Sequence, residues 1–311
     1  MTLSVSPDVA ALSPSDVAQP VLALDTSAGQ CSVALRCGSS EAFRVAPMTQ
    51  GHSRVLMGMI DAVMAELGCD GRAIAAVGYG SGPGSFTGLR VACGVAQGLA
   101  LGWDCPVVAV DTPSALALQA ALARDPQQAC PDDLIAVALD LRMHEFCCAL
   151  FQAEAVLDAQ GWPHPIGGLT LGPQSEALVR FASLGSSGET TTGMQSSGSD
   201  APTRGGADGL WLAGDGFDVS EALRVWSVPL VKAGRRPLQA VQPDARAVAR
   251  LAARGLMLGR GLDAADAAPF YLRDKVALDV TEQAALRAAR SATPASTSAA
   301  TSAAPARGAT R

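Results

Sequence analysis

The sequence predicts an α/β protein that contains an internal duplication, and three observations support this prediction. Short apolar segments typical of strands alternate with segments of helical periodicity along the 311-residue chain. One pattern, an apolar strand that ends in aspartate, turns and returns as a second apolar strand, occurs in both halves. Apolar residues make up 49% of the chain, enough for sizeable cores, and the length fits about two domains.

The repeated pattern is the most informative feature of the chain. In its first copy, residues 23–25 (Ala-Leu-Asp) are followed after five residues by 31–35 (Cys-Ser-Val-Ala-Leu). In its second copy, residues 138–140 (Ala-Leu-Asp) are followed after five residues by 146–150 (Phe-Cys-Cys-Ala-Leu). Chance similarity between two alanine-rich strands is the alternative. The common displacement of 115 residues favours a duplicated strand-turn-strand unit.

Local signals predict the order β-β-β-α-β-α-β-α for the first part of the chain. Ser53 is a suitable N-cap and Gly68 a suitable stop for one helix, and Thr112 and Pro113 are suitable as the N-cap and first residue of another. The predicted strands are 21–24, 31–35, 41–46, 74–79 and 107–110, and the predicted helices are 53–67, 87–101 and 113–122. Beyond the second copy we predict a strand at 210–213 and helices at 173–183, 220–226 and 243–258.

Composition divides the chain further. We predict a flexible leader at residues 1–19, an N-terminal α/β lobe at 20–112 and a C-terminal α/β lobe at 113–290. Residues 185–209 are rich in Ser, Thr and Gly, and residues 291–311 consist mainly of Ala, Ser, Thr and Pro. Neither segment can bury enough apolar surface to offset its ordering entropy, so we expect a disordered insert and a disordered tail.

The net charge and the cysteine content limit the classes of protein to which this chain can belong. With 23 basic and 29 acidic residues the net charge is −6, so contact with nucleic acid would need a local basic patch or a partner that supplies the charge. The eight cysteines include no C-x-x-C pair. We interpret them as reduced core residues of a cytoplasmic protein, with a disulfide framework as the rival interpretation. No export signal or membrane span is expected.

The glycine-rich run 80–88 lies between a predicted strand and a predicted helix. Its glycines and the amides of the following helix start suit an anion or carboxylate site, although the spacing matches neither a P-loop nor a dinucleotide fingerprint. The alternative is a tight turn that packs two elements together. The predicted binding loop combines this run with the first hairpin turn and comprises Asp25, Thr26, Ser27, Gly82, Gly84, Ser85, Thr87 and Gly88.

The two hairpin turns that end in aspartate are a second candidate. Facing each other across a cleft, they could grip the phosphates of a nucleotide, with Asp25 positioning a metal ion. The second turn, which follows Asp140, contains no glycine, and its side chains would fill the space that a phosphate needs. The alternative is that both aspartates merely end strands.

A catalytic or metal site is not predicted. The three histidines His52, His144 and His164 lack the i, i+4 spacing that places two ligands on one helix face. They also complete no nucleophile-base arrangement. We therefore predict no catalytic residue and no metal ligand.

Two helices offer more apolar surface than one buried stripe requires. The first, at 53–67, is rich in Leu, Met, Ile and Val, and the second, at 87–101, interleaves small residues that permit close helix contact. Packing within the domain is the alternative to a partner surface. The predicted interface residues are Leu56, Met59, Ile60, Val63, Val91, Val95 and Gly98.

Several of these segments resemble the TsaB (YeaZ) family. The most specific is 82–90 (Gly-Pro-Gly-Ser-Phe-Thr-Gly-Leu-Arg). The resemblance extends over residues 20–283 apart from the insert. It rests also on 24–27 (Leu-Asp-Thr-Ser), 31–35, His52-Ser53, 97–100 (Gln-Gly-Leu-Ala), 139–143 (Leu-Asp-Leu-Arg-Met) and 270–273 (Phe-Tyr-Leu-Arg).

This resemblance implies an actin/Hsp70-like (ASKHA, ribonuclease H-like) duplicated fold with two lobes. It also implies a non-catalytic scaffold subunit of the tRNA N6-threonylcarbamoyladenosine system. Such a subunit binds the larger paralogue TsaD, which carries the metal on a His-x-x-x-His motif and modifies an adenosine next to the anticodon. This sequence lacks that motif. The ATPase TsaE completes the complex, tRNA contact is indirect, and the chain alone can homodimerise through the helices after His52 and Gly88.

Two other functions remain as alternatives. An autonomous ATPase or kinase of the actin-like fold predicts ATP turnover by the purified chain that is lost on Asp25→Ala. A peptidase is disfavoured because the metal motif is missing. For the favoured scaffold we expect no cofactor of its own, with ATP or ADP bound only in the complex.

Overall fold

We describe a computed structural model of the chain over residues 19–47, 52–123, 132–142, 144–185, 209–232 and 242–272. These residues belong to one compact unit, Met1–Leu272. The predicted leader and insert, except for their residues 19, 185 and 209, lie outside the described residues, as does the predicted tail.

The first sheet contains five strands in the order β3-β2-β1-β4-β5. The strands are β1 (Val21–Asp25), β2 (Gln30–Cys37), β3 (Ser40–Pro47), β4 (Ala76–Gly82) and β5 (Val107–Asp111). β1 to β3 form an antiparallel meander, whereas β4 and β5 run parallel to β1. The carboxyl ends of β1, β4 and β5 therefore lie along one edge, which brings Asp25 close to the glycine-rich run.

The second sheet repeats this arrangement in the order β8-β7-β6-β9. Its strands are β6 (Leu134–Asp140), β7 (Glu145–Gln152), β8 (Thr170–Pro173) and β9 (Leu210–Ala213). β6 and β7 form the second copy of the hairpin, and β9 runs parallel to β6 as β4 does to β1. The topology therefore confirms the duplication predicted from the sequence.

The helices form layers around and between the two sheets. They are α1 (His52–Glu66), α2 (Phe86–Trp103), α3 (Thr112–Leu122), α4 (Ala153–Leu157), α5 (Gln174–Gly185), α6 (Gly216–Val219), α7 (Glu221–Lys232) and α8 (Ala245–Met257). α1 and α2 cover one face of the first sheet. α3 and α8 share the central core with the inner faces of both sheets, and α5 to α7 cover the outer face of the second sheet.

The position of α8 differs from what the predicted division of the chain implies. Residues 245–257 fall within the predicted C-terminal lobe, yet α8 packs against β1, β2, β4 and β5 of the first sheet. Its apolar stripe of Ala and Val meets Ala23 and the Cβ-free Gly78. The lobe boundary at residues 112 and 113 stays a prediction. Among the helices of the described residues, none has the length and apolarity needed to cross a membrane.

Arg254 joins α8 to the segment around α4. This buried guanidinium donates a 2.9 Å hydrogen bond to the carbonyl of Val156 and a 3.4 Å bond to that of Gly161.

We expect Arg254→Met to lower the free energy of unfolding by about 2 to 3 kcal/mol, because the carbonyls lose their charged donor. Arg250→Met on the same helix is the control, since its partly exposed ion pair with Glu41 contributes at most about 1 kcal/mol. Urea unfolding of both variants measures the difference, and equal losses would contradict the assignment.

Candidate functional site

The first hairpin turn and the glycine-rich run meet at the edge of the first sheet. The strand predicted at 74–79 extends to Gly82, so the run begins inside β4 and ends in the first turn of α2. The Thr26 hydroxyl donates to the carbonyl of Gly88 at 2.6 Å, and the N–H of Ser85 donates to the carbonyl of Ser27 at 2.7 Å. The structure thus brings the predicted binding-loop residues into one cluster.

Glycine is required in this cluster because two backbones touch. A Cβ at Gly84 would collide with the carbonyl oxygen of Ser27, and one at Gly88 would collide with that of Thr26. Ser85 caps α2 by accepting a 3.3 Å bond from the N–H of Gly88. These contacts are those of a tight turn that packs two elements. Gly84, Ser85 and Thr87 are exposed, whereas the other predicted binding-loop residues are buried.

Asp25 is the buried acid of the cluster. Its Oδ1 accepts hydrogen bonds from the N–H and the hydroxyl of Ser27 at 2.9 and 2.8 Å. Its Oδ2 lies over Gly80, where a Cβ would collide with it, and has no hydrogen-bond partner among the described residues. Burial raises the pKa of Asp25 to about 7, against the lowering effect of the Ser27 bonds, and the charge of Asp244 raises it further.

The second hairpin turn has a different chemistry at the same topological position. The N–H of Asp140 donates to Asp215 Oδ1 at 3.0 Å, and burial raises the pKa of Asp215. Gly214 and Gly216 lie against the backbone of Ala138, as Gly84 and Gly88 lie against the first turn. Leu141 packs against the central core. In both copies, the loop after the parallel strand (β4 or β9) therefore packs against the adjacent hairpin.

The residues of the two turns do not fit a two-sided phosphate clamp. In the first copy, the carbonyl groups of Ser27 and Thr26 occupy the space above Gly84 and Gly88 into which a phosphate would have to fit. In the second copy, the turn lacks glycine. Within the described ranges, His, Cys, Asp and Glu side chains form no group of three or more that could hold a metal ion. The orphaned Oδ2 of Asp25 by itself does not make a nucleotide site.

Four of the predicted interface residues belong to the chain's own core. Leu56, Met59, Ile60 and Val63 are buried against the first sheet, with exposed fractions of 8% or less. This corrects the prediction that they line a partner surface. Helical spacing identified the stripe with which α1 packs on β2 and β3, and such a stripe looks the same in sequence as a docking face.

The predicted interface residues of α2 lie differently. Val91 and Val95 are half-buried at the margin of the same core, and Gly98 is exposed with open space around it. With their exposed neighbours they form a surface that we call the outer helix face. Its members are Val55, Met57 and Gly58 of α1 and Val91, Gly94, Val95, Gly98 and Leu101 of α2. Val55, Met57 and Leu101 were not among the predicted interface residues, although they are exposed apolar side chains of these two helices.

An aromatic cluster beside the glycine-rich run was also missed. The Arg90 guanidinium lies 3.6 Å from the ring centroid of Phe86 and donates from Nε to the hydroxyl of Tyr271 at 2.9 Å. The N–H of Phe270 donates to the carbonyl of Ser81 at 2.7 Å. This cluster fastens the segment around residue 270 to the start of α2. The only sequence signal for it was the resemblance at 270–273.

Parts of the chain are similar in sequence to known proteins. A family model described as "TsaD: tRNA N6-adenosine threonylcarbamoyltransferase" matches residues 46–161. The chain is 40% identical over 125 residues to the tRNA threonylcarbamoyladenosine biosynthesis protein TsaB of Haemophilus influenzae, covering 40% of this chain and 50% of that protein. It is 34% identical over 162 residues to TsaB of Escherichia coli, covering 51% of this chain and 62% of that protein. The chain thus spans less than two thirds of the length of these two relatives.

A solved structure extends the likeness over most of the fold. YeaZ from Pseudomonas aeruginosa superposes with a TM-score of 0.57 at 28% identity, covering 82% of this chain and 100% of that one. Together with the duplicated hairpin and parallel strand in each sheet, these matches define a protein of the actin/Hsp70-like (ASKHA) class, as the resemblance implied. Within that class the chain is similar to proteins of the TsaB/YeaZ family.

Proposed function

We propose that this chain acts in tRNA N6-threonylcarbamoyladenosine biosynthesis as a non-catalytic subunit that binds and stabilises a TsaD-like threonylcarbamoyltransferase. The names of its TsaB relatives support the process. At the first hairpin turn the polar side chains hydrogen-bond within the fold, the Thr26 hydroxyl to the carbonyl of Gly88 and the Ser27 hydroxyl to Asp25. A supporting subunit needs a surface for its partner rather than a reactive centre.

The outer helix face is the observation that carries this proposal. α1 and α2 lie side by side on the first sheet and contact each other. Gly58, Gly94 and Gly98 leave open space above the backbone, while Leu101 is 79% exposed and Met57 42% exposed. Small residues let a second pair of helices approach closely, and exposed apolar side chains favour burial against a partner. The surface therefore suits a helical partner of complementary apolar shape.

The remaining partners follow from the same proposal. A TsaE-like ATPase joins the assembled complex, and the chain forms a homodimer through the outer helix face when its partner is absent. With a net charge of −6, it meets tRNA indirectly, through a partner that supplies the basic surface. A bound ATP or ADP, if the assembly uses one, belongs to the complex rather than to the isolated chain.

Gly98→Arg is expected to abolish co-purification with the TsaD-like partner, reducing the recovered partner by at least about tenfold. An arginine at this position places a long charged side chain in the middle of the outer helix face and leaves its charge unpaired on burial. The chain itself should fold, because a side chain at Gly98 meets no other atom within 4 Å. Pull-down of the tagged full chain, together with circular dichroism, measures both effects.

Val179→Arg is the matched control. Val179 is 76% exposed on α5, in the layer that covers the second sheet, and the substitution introduces the same charge. This variant should retain the partner at the native level. Size-exclusion chromatography of the isolated variants tests the homodimer in the same way, since only Gly98→Arg should yield the monomer. Undiminished partner recovery with folded Gly98→Arg would refute the proposed surface.

A further inference from the structure

Arg90 is an exposed cation that the fold holds in one orientation. Its guanidinium lies 3.6 Å from the ring centroid of Phe86, and its Nε donates to the hydroxyl of Tyr271 at 2.9 Å. The two rings contact each other, with centroids 5.7 Å apart. Stacking fixes the plane of the guanidinium, and the hydrogen bond fixes its rotation within that plane. The conformational entropy of this long side chain is therefore lost on folding rather than on binding.

The Nη amino groups of Arg90 are available to a ligand. Among the residues that the structure describes, neither amino group donates a hydrogen bond and no carboxylate forms an ion pair with Arg90. The ion pairs of the described residues use other arginines, namely Arg36, Arg44, Arg246 and Arg250. A guanidinium with both amino groups free matches a carboxylate or a phosphate, which it binds through parallel hydrogen bonds.

Arg90 adjoins the outer helix face. Gly94 lies four residues further along α2 and Leu101 eleven residues further, about three helical turns, so both lie on the same side of the helix as Arg90. Gly94 leaves open space above the backbone, and Leu101 is exposed. Arg90 is the one charged residue in the sequence of α2. A protein that covers the outer helix face therefore meets a single fixed charge at the margin of this surface.

We propose that Arg90 binds a carboxylate side chain of the TsaD-like partner and thereby fixes the alignment of the two proteins. This inference rests on the proposed function and names the residue that gives the apolar contact its specificity. Small and apolar side chains allow packed helices several alignments, whereas a bidentate ion pair allows one. The rings of Phe86 and Tyr271 shield one side of the guanidinium from water, which strengthens the ion pair.

A protein carboxylate fits this site better than a phosphate of RNA does. Binding to a phosphate backbone depends on several cations along one surface, and α2 carries no second charged residue. The neighbours of Arg90 are aromatic rings on one side and the small and apolar residues of the outer helix face on the other. Arginine beside aromatic and apolar side chains is typical of the residues that dominate binding between proteins.

Arg90→Gln tests the proposal, because glutamine retains hydrogen-bonding groups but lacks the charge and the forked donor geometry. The Kd for the TsaD-like partner, measured by calorimetry on the purified full chains, should rise about tenfold or more. Arg90→Glu should raise it by a further factor of about ten, since two carboxylates then face each other. Sodium chloride should weaken binding of the native chain much more than binding of Arg90→Gln. A role confined to fastening Tyr271 would not produce this difference in salt dependence.

Further variants separate charge from orientation and from folding. Tyr271→Phe removes only the hydroxyl that orients the guanidinium, so the Kd should rise about threefold while the salt dependence persists. Arg224→Gln, at an exposed arginine of α7, is the matched control and should leave the Kd and the salt dependence at their native values. Circular dichroism reports whether each variant folds. If Arg90→Gln does not fold, Arg90→Lys replaces it and should keep the salt dependence at a raised Kd.

The outcomes distinguish this inference from the proposed function. If folded Gly98→Arg loses the partner while folded Arg90→Gln and Arg90→Glu keep the native Kd and salt dependence, this inference alone is overturned. If the native chain does not bind the partner, both the inference and the proposed function fail. If Arg90→Gln weakens binding of the assembled complex to tRNA but leaves the Kd for the partner unchanged, the cation serves a phosphate and the inference is likewise overturned.

Discussion

Replacing Gly88 with alanine is expected to lower the free energy of unfolding by at least about 3 kcal/mol, because the added methyl group cannot be accommodated. It would collide with the main-chain carbonyl of Thr26, and a backbone atom cannot rotate away as a flexible side chain can. The same movement would strain the bond from the Thr26 hydroxyl to Gly88. Urea unfolding monitored by circular dichroism measures the loss.

Gly94→Ala on the same helix is the matched control. A side chain at Gly94 meets no atom within 4 Å, so the higher helix propensity of alanine should raise stability by about 0.5 to 1 kcal/mol. The two substitutions are chemically identical and should have effects of opposite sign. Similar effects at both positions would mean that the turn at Thr26 does not rest on Gly88.

Asp25→Asn is expected to remove a large pH dependence of stability. The native pKa of Asp25 is raised to about 7 from 3.8, so the folded state binds its proton more tightly than the unfolded state does. Its contribution to stability is complete below pH 3.8 and is lost as the pH rises through 7. Between pH 5 and pH 8 the native chain should lose about 2 to 3 kcal/mol more than the variant.

Ser27→Ala provides an independent check on the cause. The hydroxyl of Ser27 donates to Asp25 Oδ1 at 2.8 Å and lowers the pKa of the carboxyl group. Removing this donor should raise the pKa further and move the loss of stability to higher pH. Urea unfolding at several pH values between 5 and 8 measures all three proteins. If the native chain and Asp25→Asn show the same pH profile, Asp25 is not the group responsible.

Local patterns were sufficient to predict most of the secondary structure. The predicted helix at 113–122 ends where α3 ends and starts one residue late, because Asp111 rather than Thr112 is the N-cap and accepts a hydrogen bond from the N–H of Ser114. The strand at 74–79 was placed too early. Glycines 80 and 82 indicated a turn, yet pairing with β5 keeps residues 80–82 extended. A strand partner distant in sequence thus overrode the local signal.

The packing of the first hairpin turn on the glycine-rich run was predicted in part, and the binding role of these residues stays a prediction. The binding-loop residues come together as expected, because strand ends that carry Asp25 and Gly82 lie at one edge of a parallel arrangement. Why glycine occupies positions 84 and 88 could not be predicted, since the answer is the carbonyls of Ser27 and Thr26.

The amino-acid sequence alone determined the duplicated hairpins, the order of strands and helices and, through 82–90, the resemblance to the TsaB/YeaZ family. These features depend on periodicity, caps and turns, which act between residues close in the chain. Only the tertiary structure decided which face of α1 is buried, that α8 lies between the sheets, and that Leu56, Met59, Ile60 and Val63 serve the core rather than a partner. An apolar stripe lowers the free energy equally against its own sheet or against another protein, and only the folded chain shows which one covers it.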